Sequence, residues 1–354
     1  MARGAARRTD VEYVAELVNL LIDRGRLTGD GRDFDNALAA LDDAEAKMAT
    51  RTRTEVGVMQ IPELYTSRAR VLAARHRFVE AIEVARKGLR KYPHFSGLES
   101  VVGESSVQIG DMQAGEAYLR RLVNSEFRVA NNFIGLAYWA EVAGDLEQAS
   151  DLLSRAPEVN FPKPLPRLRL AYIYAVHGDV KAKSGKLDEA RAFYQASLGQ
   201  EPTTAQAKVG LADLASYEGK LDEAEKLLRE VVESEWPNAE YQAKLADIRE
   251  KQGDLKEAKA LRNAAEKYFA WSVGTGFEGY LRPLALLKLK QGNFRKAGEY
   301  AARDLAIRPN RESRAVYQSI YDQAKAAGSE LSENAIVKLD AETAARKAAV
   351  AAGG

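Results

Sequence analysis

The sequence predicts an all-α solenoid of about eight stacked helix-turn-helix units, and three observations predict it. The first is a period. Short turns built as glycine, polar residue, apolar residue, two variable positions and a small residue recur as GDMQAG at 110, GDLEQA at 144, GKLDEA at 185 and again at 219, GDLKEA at 253 and GNFRKA at 292. Gly110 to Gly144, Gly185 to Gly219 and Gly219 to Gly253 each span 34 residues, and a fixed period of that size marks a stacked array. HRFVEA at 76 and RDFDNA at 32 keep the shape with the glycine replaced. The second observation is helical spacing on both sides of these turns. The third is that no run alternates as a strand does.

Each unit reads as two helices. From Thr204 to Trp236, Leu211, Leu214 and Ala215 share one face of a first helix, and Leu221, Ala224, Leu228 and Val231 form an apolar stripe on a second. Gly219 between them supplies the left-handed conformation that ends a helix and that other residues resist. Asp188, Glu189, Asp222 and Glu223 fall in the first turn of second helices, facing the positive end of the dipole. Pro93, Pro202, Pro237 and Pro309 follow second helices and stop them. Ala81, Ala149, Ala190, Ala224, Ala258 and Ala297 are small enough to let paired helices approach.

The register breaks in three places. Gly144 to Gly185 is 41 residues, and EVNFPKPLPRL followed by RLRLAYIYAVHGDVKAKSG predicts a proline-rich connector and a first helix two turns longer than its neighbours. Arg32 to His76 is 44, with the surplus in TRTRTEVGVMQIP. Gly253 to Gly292 is 39, with the surplus at GTGFEG, where Gly274, Gly276 and Gly279 match GxGxxG. A working dinucleotide fingerprint needs a strand ahead of its first glycine. EAKALRNAAEKYFAW is helical in pattern instead, so this segment is expected to be a loop between helix pairs, with Pro283 in the next first turn.

These features resemble the tetratricopeptide repeat superfamily. The unit ending at Pro202 supplies that family's small residue at Gly178, its turn at Gly185, then Leu187, Ala190, Tyr194, Ser197 and the closing proline. The next supplies Ala212, Gly219, Leu221, Ala224 and Leu228. The resemblance covers residues 10–328, with turns near 32, 76, 110, 144, 185, 219, 253 and 292, between a flexible basic start at 1–9 and a capping helix or tail at 329–354. In that tail Ser332 could cap a helix with Ile336, Leu339 and Thr343 on one face. The resemblance implies a right-handed superhelix whose first helices form a concave wall that grips peptide or protein segments.

Composition removes several other functions. The 52 basic and 51 acidic residues leave a net charge of +1, which gives no general attraction for nucleic acid. With no cysteine there is no disulfide, thiolate metal site or cysteine nucleophile. The three histidines, His76, His94 and His177, form no HxxxH pair. No phosphate loop, GxSxG elbow or kinase signature occurs. No catalytic site, cofactor or metal is expected, and no apolar run is long enough to enter a membrane. Neither a leader nor a spanning segment is visible, which makes the cytoplasm the default compartment, with export if a leader once preceded the chain.

Recognition then falls to the surface. In the resembled family, groove-facing position 9 here reads Arg70, Glu104, Tyr138, Asp179, Asp213, Asp247 and Leu286. Asn131, Tyr172 and Glu240 occupy position 2, Glu250 position 12 and Arg282 position 5. Asp179, Asp213 and Asp247, with Glu240 and Glu250 nearby, would form an acidic ladder favouring a basic partner, against the plainer reading of solvated helix faces. Tyr138, Trp139, Tyr172 and Tyr174 read as core or groove wall. The lysine-and-asparagine clamp of the chaperone-tail binders and the asparagine ladder of the glycosyltransferase-linked repeats are both missing. The expectation is a non-catalytic scaffold binding a protein or peptide. The alternative is a self-associating scaffold that acts through its convex face and chain ends.

Overall fold

Where the sequence places glycine after a helical stripe, the chain turns left-handed and closes the helix behind it. In the computed structural model, Gly110, Gly144, Gly185, Gly219, Gly253 and Gly292 all have positive φ. The residue after each donates its N–H back across the turn, as Asp145 does to Ala140 O at 2.8 Å and Lys220 to Ala215 O at 2.8 Å. His76 takes the same conformation at φ 65°, and Arg77 makes the equivalent bond to Leu72 O at 2.8 Å. The polar residue after the glycine starts the next helix. Asp111, Asp145, Asp254 and Asn293 each accept a backbone N–H from three residues ahead.

The structure describes residues 10–49, 60–125, 129–159, 165–234, 239–329, 331 and 335–340. The basic start, most of TRTRTEVGVMQIP, Pro162, Pro164, Pro237, Ser332 and the tail from 341 lie outside them. Among the described residues there is no strand. The helices pair as α1 (Asp10–Thr28) with α2 (Arg32–Ala49), α3 (Gln60–Ala74) with α4 (Phe78–Lys91), α5 (Ser96–Gln108) with α6 (Met112–Val123), and α7 (Ala130–Ala143) with α8 (Leu146–Arg155). Then come α9 (Arg167–Lys183) with α10 (Leu187–Gln200), α11 (Ala205–Tyr217) with α12 (Leu221–Val232), α13 (Ala239–Lys251) with α14 (Leu255–Gly274), α15 (Leu281–Lys290) with α16 (Phe294–Ile307), and finally α17 (Arg311–Ala326). The molecule is an all-α superhelical repeat fold.

Two breaks differ in detail from the expectation. The first helix after the proline-rich connector, α9, has 17 residues against 14 in α7 and 13 in α11. It is longer by about one turn rather than two, because Ala156–Glu158 forms a separate 3-10 turn and the connector takes up the remainder. At the second break the surplus lengthens α14 to 20 residues as well as filling the glycine loop.

The chain divides into two compact units. The first contains residues up to Val107, Asp111–Leu214 and Thr275–Phe277. Its core runs through α6 to α9 on Leu119, Leu122, Phe133, Leu136, Leu153 and Ile173. The turn alanines Ala81, Ala149 and Ala190 have no exposed surface, which is why paired helices can lie close. Within this unit the three residues 275–277 seat against the first turn. Gly31 donates its N–H to Thr275 Oγ1 at 2.8 Å, and a β-carbon on Gly31 would overlap the Thr275 carbonyl. The Phe277 ring lies 5.7 Å from those of both Phe34 and His76.

The second unit contains Gln108–Gly110, Ala215–Gly274 and the chain from Glu278. At its C-terminal end Tyr317, Ile320 and Leu305 form a core against which Leu331, Ile336 and Leu339 pack. Ala335 N–H donates to the Tyr317 hydroxyl at 2.9 Å, so the last described residues lie on α16 and α17. Asp304, 2% exposed, accepts from Arg308, from Arg282 Nε at 3.2 Å and from Ser313 Oγ at 2.8 Å.

Candidate functional site

The first helices of the first unit bring a row of side chains to one wall. Six residues before each turn residue stand Arg26 on α1, Arg70 on α3, Glu104 on α5, Tyr138 on α7, Asp179 on α9 and Asp213 on α11. Glu104 reaches the solvent, yet lost hydration raises its carboxyl above the ordinary value. The Ser100 hydroxyl bonded to it at 2.8 Å, with the charges of Arg70 and Arg26, pulls the other way. Tyr172, 43% exposed, is likewise raised by lost hydration, and feels Arg169, Glu104, Arg26 and Asp179. Arg26 and Asp179, from the first and fifth hairpins, both act electrostatically on Tyr172.

Asp179 is held firmly. Its Oδ1 accepts from the Tyr194 hydroxyl at 2.8 Å and its Oδ2 from Gln206 Nε2 at 2.6 Å. Burial nonetheless raises its pKa, with the two donors opposing. Tyr194 fills the space vacated by two missing side chains, since a β-carbon on Gly178 or Gly210 would overlap its ring. Burial and the nearby Asp179 push the Tyr194 hydroxyl well above its usual value. Asn131 is exposed at the start of α7, and Tyr138 is half-buried against the core of α6 to α9. Trp139 faces that core too, its Nε1 donating to Met112 O at 2.8 Å.

The other residues expected at a groove belong to the second unit. Asp247 pairs with Arg262 at 2.8 Å and Lys290 at 2.5 Å, and Glu250 with Arg262 at 2.6 Å. Arg282 pairs with Asp304 and Glu312. Burial raises the Glu240 carboxyl, against the charges of Lys244, Arg308 and Arg282. Asp179 and Asp213 therefore share the first unit, and Asp247 and Glu250, in the second, pair with Arg262. Sequence reading passed over Arg26. The signal was present, since Arg26 precedes Arg32 by the interval that separates Arg70 from His76, but the first turn lacks its glycine.

One constellation that chemistry could use is placed in the core. Ser150 Oγ lies 2.9 Å from His177 Nε2, with Phe193 stacked on the imidazole at 3.8 Å. Both are buried, and among the described residues no carboxylate hydrogen-bonds the ring. A serine nucleophile needs an oriented base and an open approach, and this pair sits inside the α8–α9–α10 packing. The GxGxxG segment has helix α14 before it, and Glu278–Tyr280 forms a 3-10 turn, so no strand presents its first glycine. Among the described residues no group of three or more His, Asp or Glu side chains could hold a metal, and no helix is long and apolar enough to cross a membrane.

Residues 181–248 match the family described as Tetratricopeptide repeat, and the described residues before and after them form helical hairpins of the same kind. Among solved structures it is similar to the Cut9–Hcn1 hetero-tetramer of the APC/C, with a TM-score of 0.50 and 15% identity, over 81% of this chain and 52% of that one. The chain thus spans about half the length of that relative. It is similar also to a tetratricopeptide repeat protein from Parabacteroides merdae, with a TM-score of 0.50 and 15% identity over 79% of this chain and 99% of that one. At such identities these likenesses concern the fold. No curated protein matches the sequence. Proteins of this repeat class generally serve as interaction scaffolds and are generally not enzymes.

Proposed function

We propose that this chain is a non-catalytic scaffold that holds an extended peptide or protein segment along the inner wall of its first unit. What supports the reading is that Arg26, Glu104, Tyr172 and Asp179, drawn from three hairpins, act on one another electrostatically while Glu104 and Tyr172 stay exposed. Curved walls of this kind bury a large share of an extended ligand, and half-exposed tyrosines there supply rigid contact area. A basic stretch of the partner would lie over Asp179 and Asp213. Affinity capture with the full chain, compared with Tyr138→Ala/Tyr172→Ala, tests this: retained proteins identified by mass spectrometry should be lost from the variant. Equal retention by both would overturn it.

A second reading, self-association through a chain end, is favoured by one specific feature. Tyr13, Leu17 and Leu20 on α1 are 58%, 46% and 62% exposed and recur at helical spacing. Light scattering across concentrations, with Leu17→Glu/Leu20→Glu as the control, separates this from a monomeric receptor.

A further inference from the structure

The solvent face of α4 carries charge in a way that other second helices avoid. Arg86, Lys87, Arg90 and Lys91 are all exposed on its last two turns, while Ala81, Ile82, Ala85 and Gly88 are buried on the opposite side. On α2, α6 and α12 a cation pairs with the acid four residues before it: Lys47 with Asp43 at 2.6 Å, Arg120 with Glu116 at 2.6 Å and Arg229 with Glu225 at 2.7 Å. On α4 the residue four before Arg90 is Arg86, and the residue four before Lys91 is Lys87. Like charges at that spacing destabilise a helix. The helix dipole offsets this within the last turn, which covers Arg90 and Lys91 and leaves Arg86 and Lys87. A local conflict without compensation marks a functional position.

We propose that this face is a docking surface that takes an acidic, extended segment of a partner protein along α4. It lies on a second helix, whereas the wall proposed above is built from first helices, and it does not depend on that reading.

The cations are available to a partner. Arg86, Lys87 and Arg90 make no hydrogen bond or ion pair with any described residue, and neither does Glu83 one turn before them. Lys91 donates to the Tyr65 hydroxyl at 3.2 Å and lies 5.6 Å from the centre of that ring, a neutral partner that leaves its charge intact. Residues four apart on a helix rise by about 6 Å, so the four charges form two short rows. Alternate side chains of an extended segment recur at about 6.6 Å, close enough to set a carboxylate against each cation. Charge-assisted bonds to guanidinium groups are the stronger part of such a contact.

Other polyanions fit this face less well. Helices α2 and α4 both flank α3, where Arg68 bonds to Asp42 at 2.6 Å and to Glu45 at 3.2 Å, and Tyr65 meets Lys91. Relative to the turn, Asp42 and Asp43 on α2 stand where Arg86 and Lys87 stand on α4, and both are exposed. A duplex or an anionic membrane is wider than one helix and would meet these acids as well. Single-stranded nucleic acid is gripped by stacking its bases on aromatic rings. Among the described residues of α3 to α5 no tyrosine, tryptophan or phenylalanine is exposed. A narrow segment bearing carboxylates needs neither a wide basic surface nor a ring.

The test measures fluorescence anisotropy of a labelled peptide of alternating glutamate and serine on the full chain at low salt. The peptide should bind, and added salt should release it. Arg86→Gln/Arg90→Gln should weaken binding about fivefold, as expected from two exposed charge pairs. Arg311→Gln/Lys325→Gln, which removes the same charge elsewhere, should leave it unchanged. The thermal midpoint of Arg86→Gln/Arg90→Gln should hold or rise because repulsion is relieved, so that its lost binding is not lost folding. No binding of the peptide, equal weakening by both variants, or a lowered midpoint overturns the proposal. Tighter binding of duplex DNA, of a DNA single strand or of phosphatidylserine vesicles than of the peptide overturns it too. Tyr138→Ala/Tyr172→Ala should bind the peptide as wild type does, which separates this face from the inner wall.

Discussion

Tyr194 on α10 donates its hydroxyl to Asp179 on α9 at 2.8 Å, tying the second helix of a hairpin to the first. The ring reaches that position because residues 178 and 210 are glycines. Core packing and the proposed binding wall are thereby coupled through one side chain.

That coupling gives a stability prediction. Tyr194→Phe should cost about 2 kcal/mol, the value of a hydrogen bond to a partly buried charge, measured by urea unfolding. Gly210→Ala should cost about 1–3 kcal/mol by overpacking against the ring. In a Tyr194→Leu background the added methyl should be nearly neutral. An undiminished penalty there would show that the clash lies elsewhere.

His177 should give the protein an acid-sensitive slope. It is 3% exposed, and burial, with Lys181 adding to it, lowers its pKa to about 4. Above pH 6.5 neither the folded nor the unfolded form binds the proton, so the group contributes no pH dependence. As pH falls from about 6.5 towards 4, the unfolded chain takes up a proton that the native state refuses, and stability declines. The full loss is about 3 kcal/mol at 1.36 kcal/mol per pH unit. Wild type should lose that much more than His177→Gln between pH 7 and 4. Parallel pH profiles would contradict the assignment.

Asp304 should be the costliest single charge to remove in the second unit. Asp304→Asn leaves the guanidinium groups of Arg282 and Arg308 without their buried counter-ion, a defect worth about 3–5 kcal/mol. Hydrogen exchange should accelerate across α15 to α17. Unchanged protection there would mean that the network is dispensable.

The turn glycines allow a backbone effect to be read in isolation. Gly219 has φ 79° and nothing within 4 Å of where a β-carbon would stand. Gly219→Ala should therefore cost about 1 kcal/mol through conformation alone. His94 presents the reverse case, at φ 62° with 78% of its side chain exposed. His94→Gly should be neutral to stabilising by about 0.5 kcal/mol, because the relief of left-handed strain exceeds the loss of backbone freedom. Thermal unfolding of the two variants should shift in opposite directions.

The sequence by itself determined the repeat, because a local signal of turn glycine, capping residue and apolar stripe recurs with each hairpin. Gly144, Asp145 and Ala149 each have one local task, and each is legible within six residues. Tertiary structure alone decided which charges remain available. Asp247 looks like Asp179 along the chain, but Arg262 and Lys290, on the next two helices, reach it, whereas Asp179 is met by a phenol and a carboxamide. Arg26 and Arg70 look like Arg24 and Arg68, but project from the helix where no described acid pairs with them. The lengths of α9 and α14 were likewise set by packing, since a surplus of residues fits either a helix or a connector until its neighbours are in place. Pairing between long side chains depends on distances across hairpins, and periodicity along the chain carries no information about those.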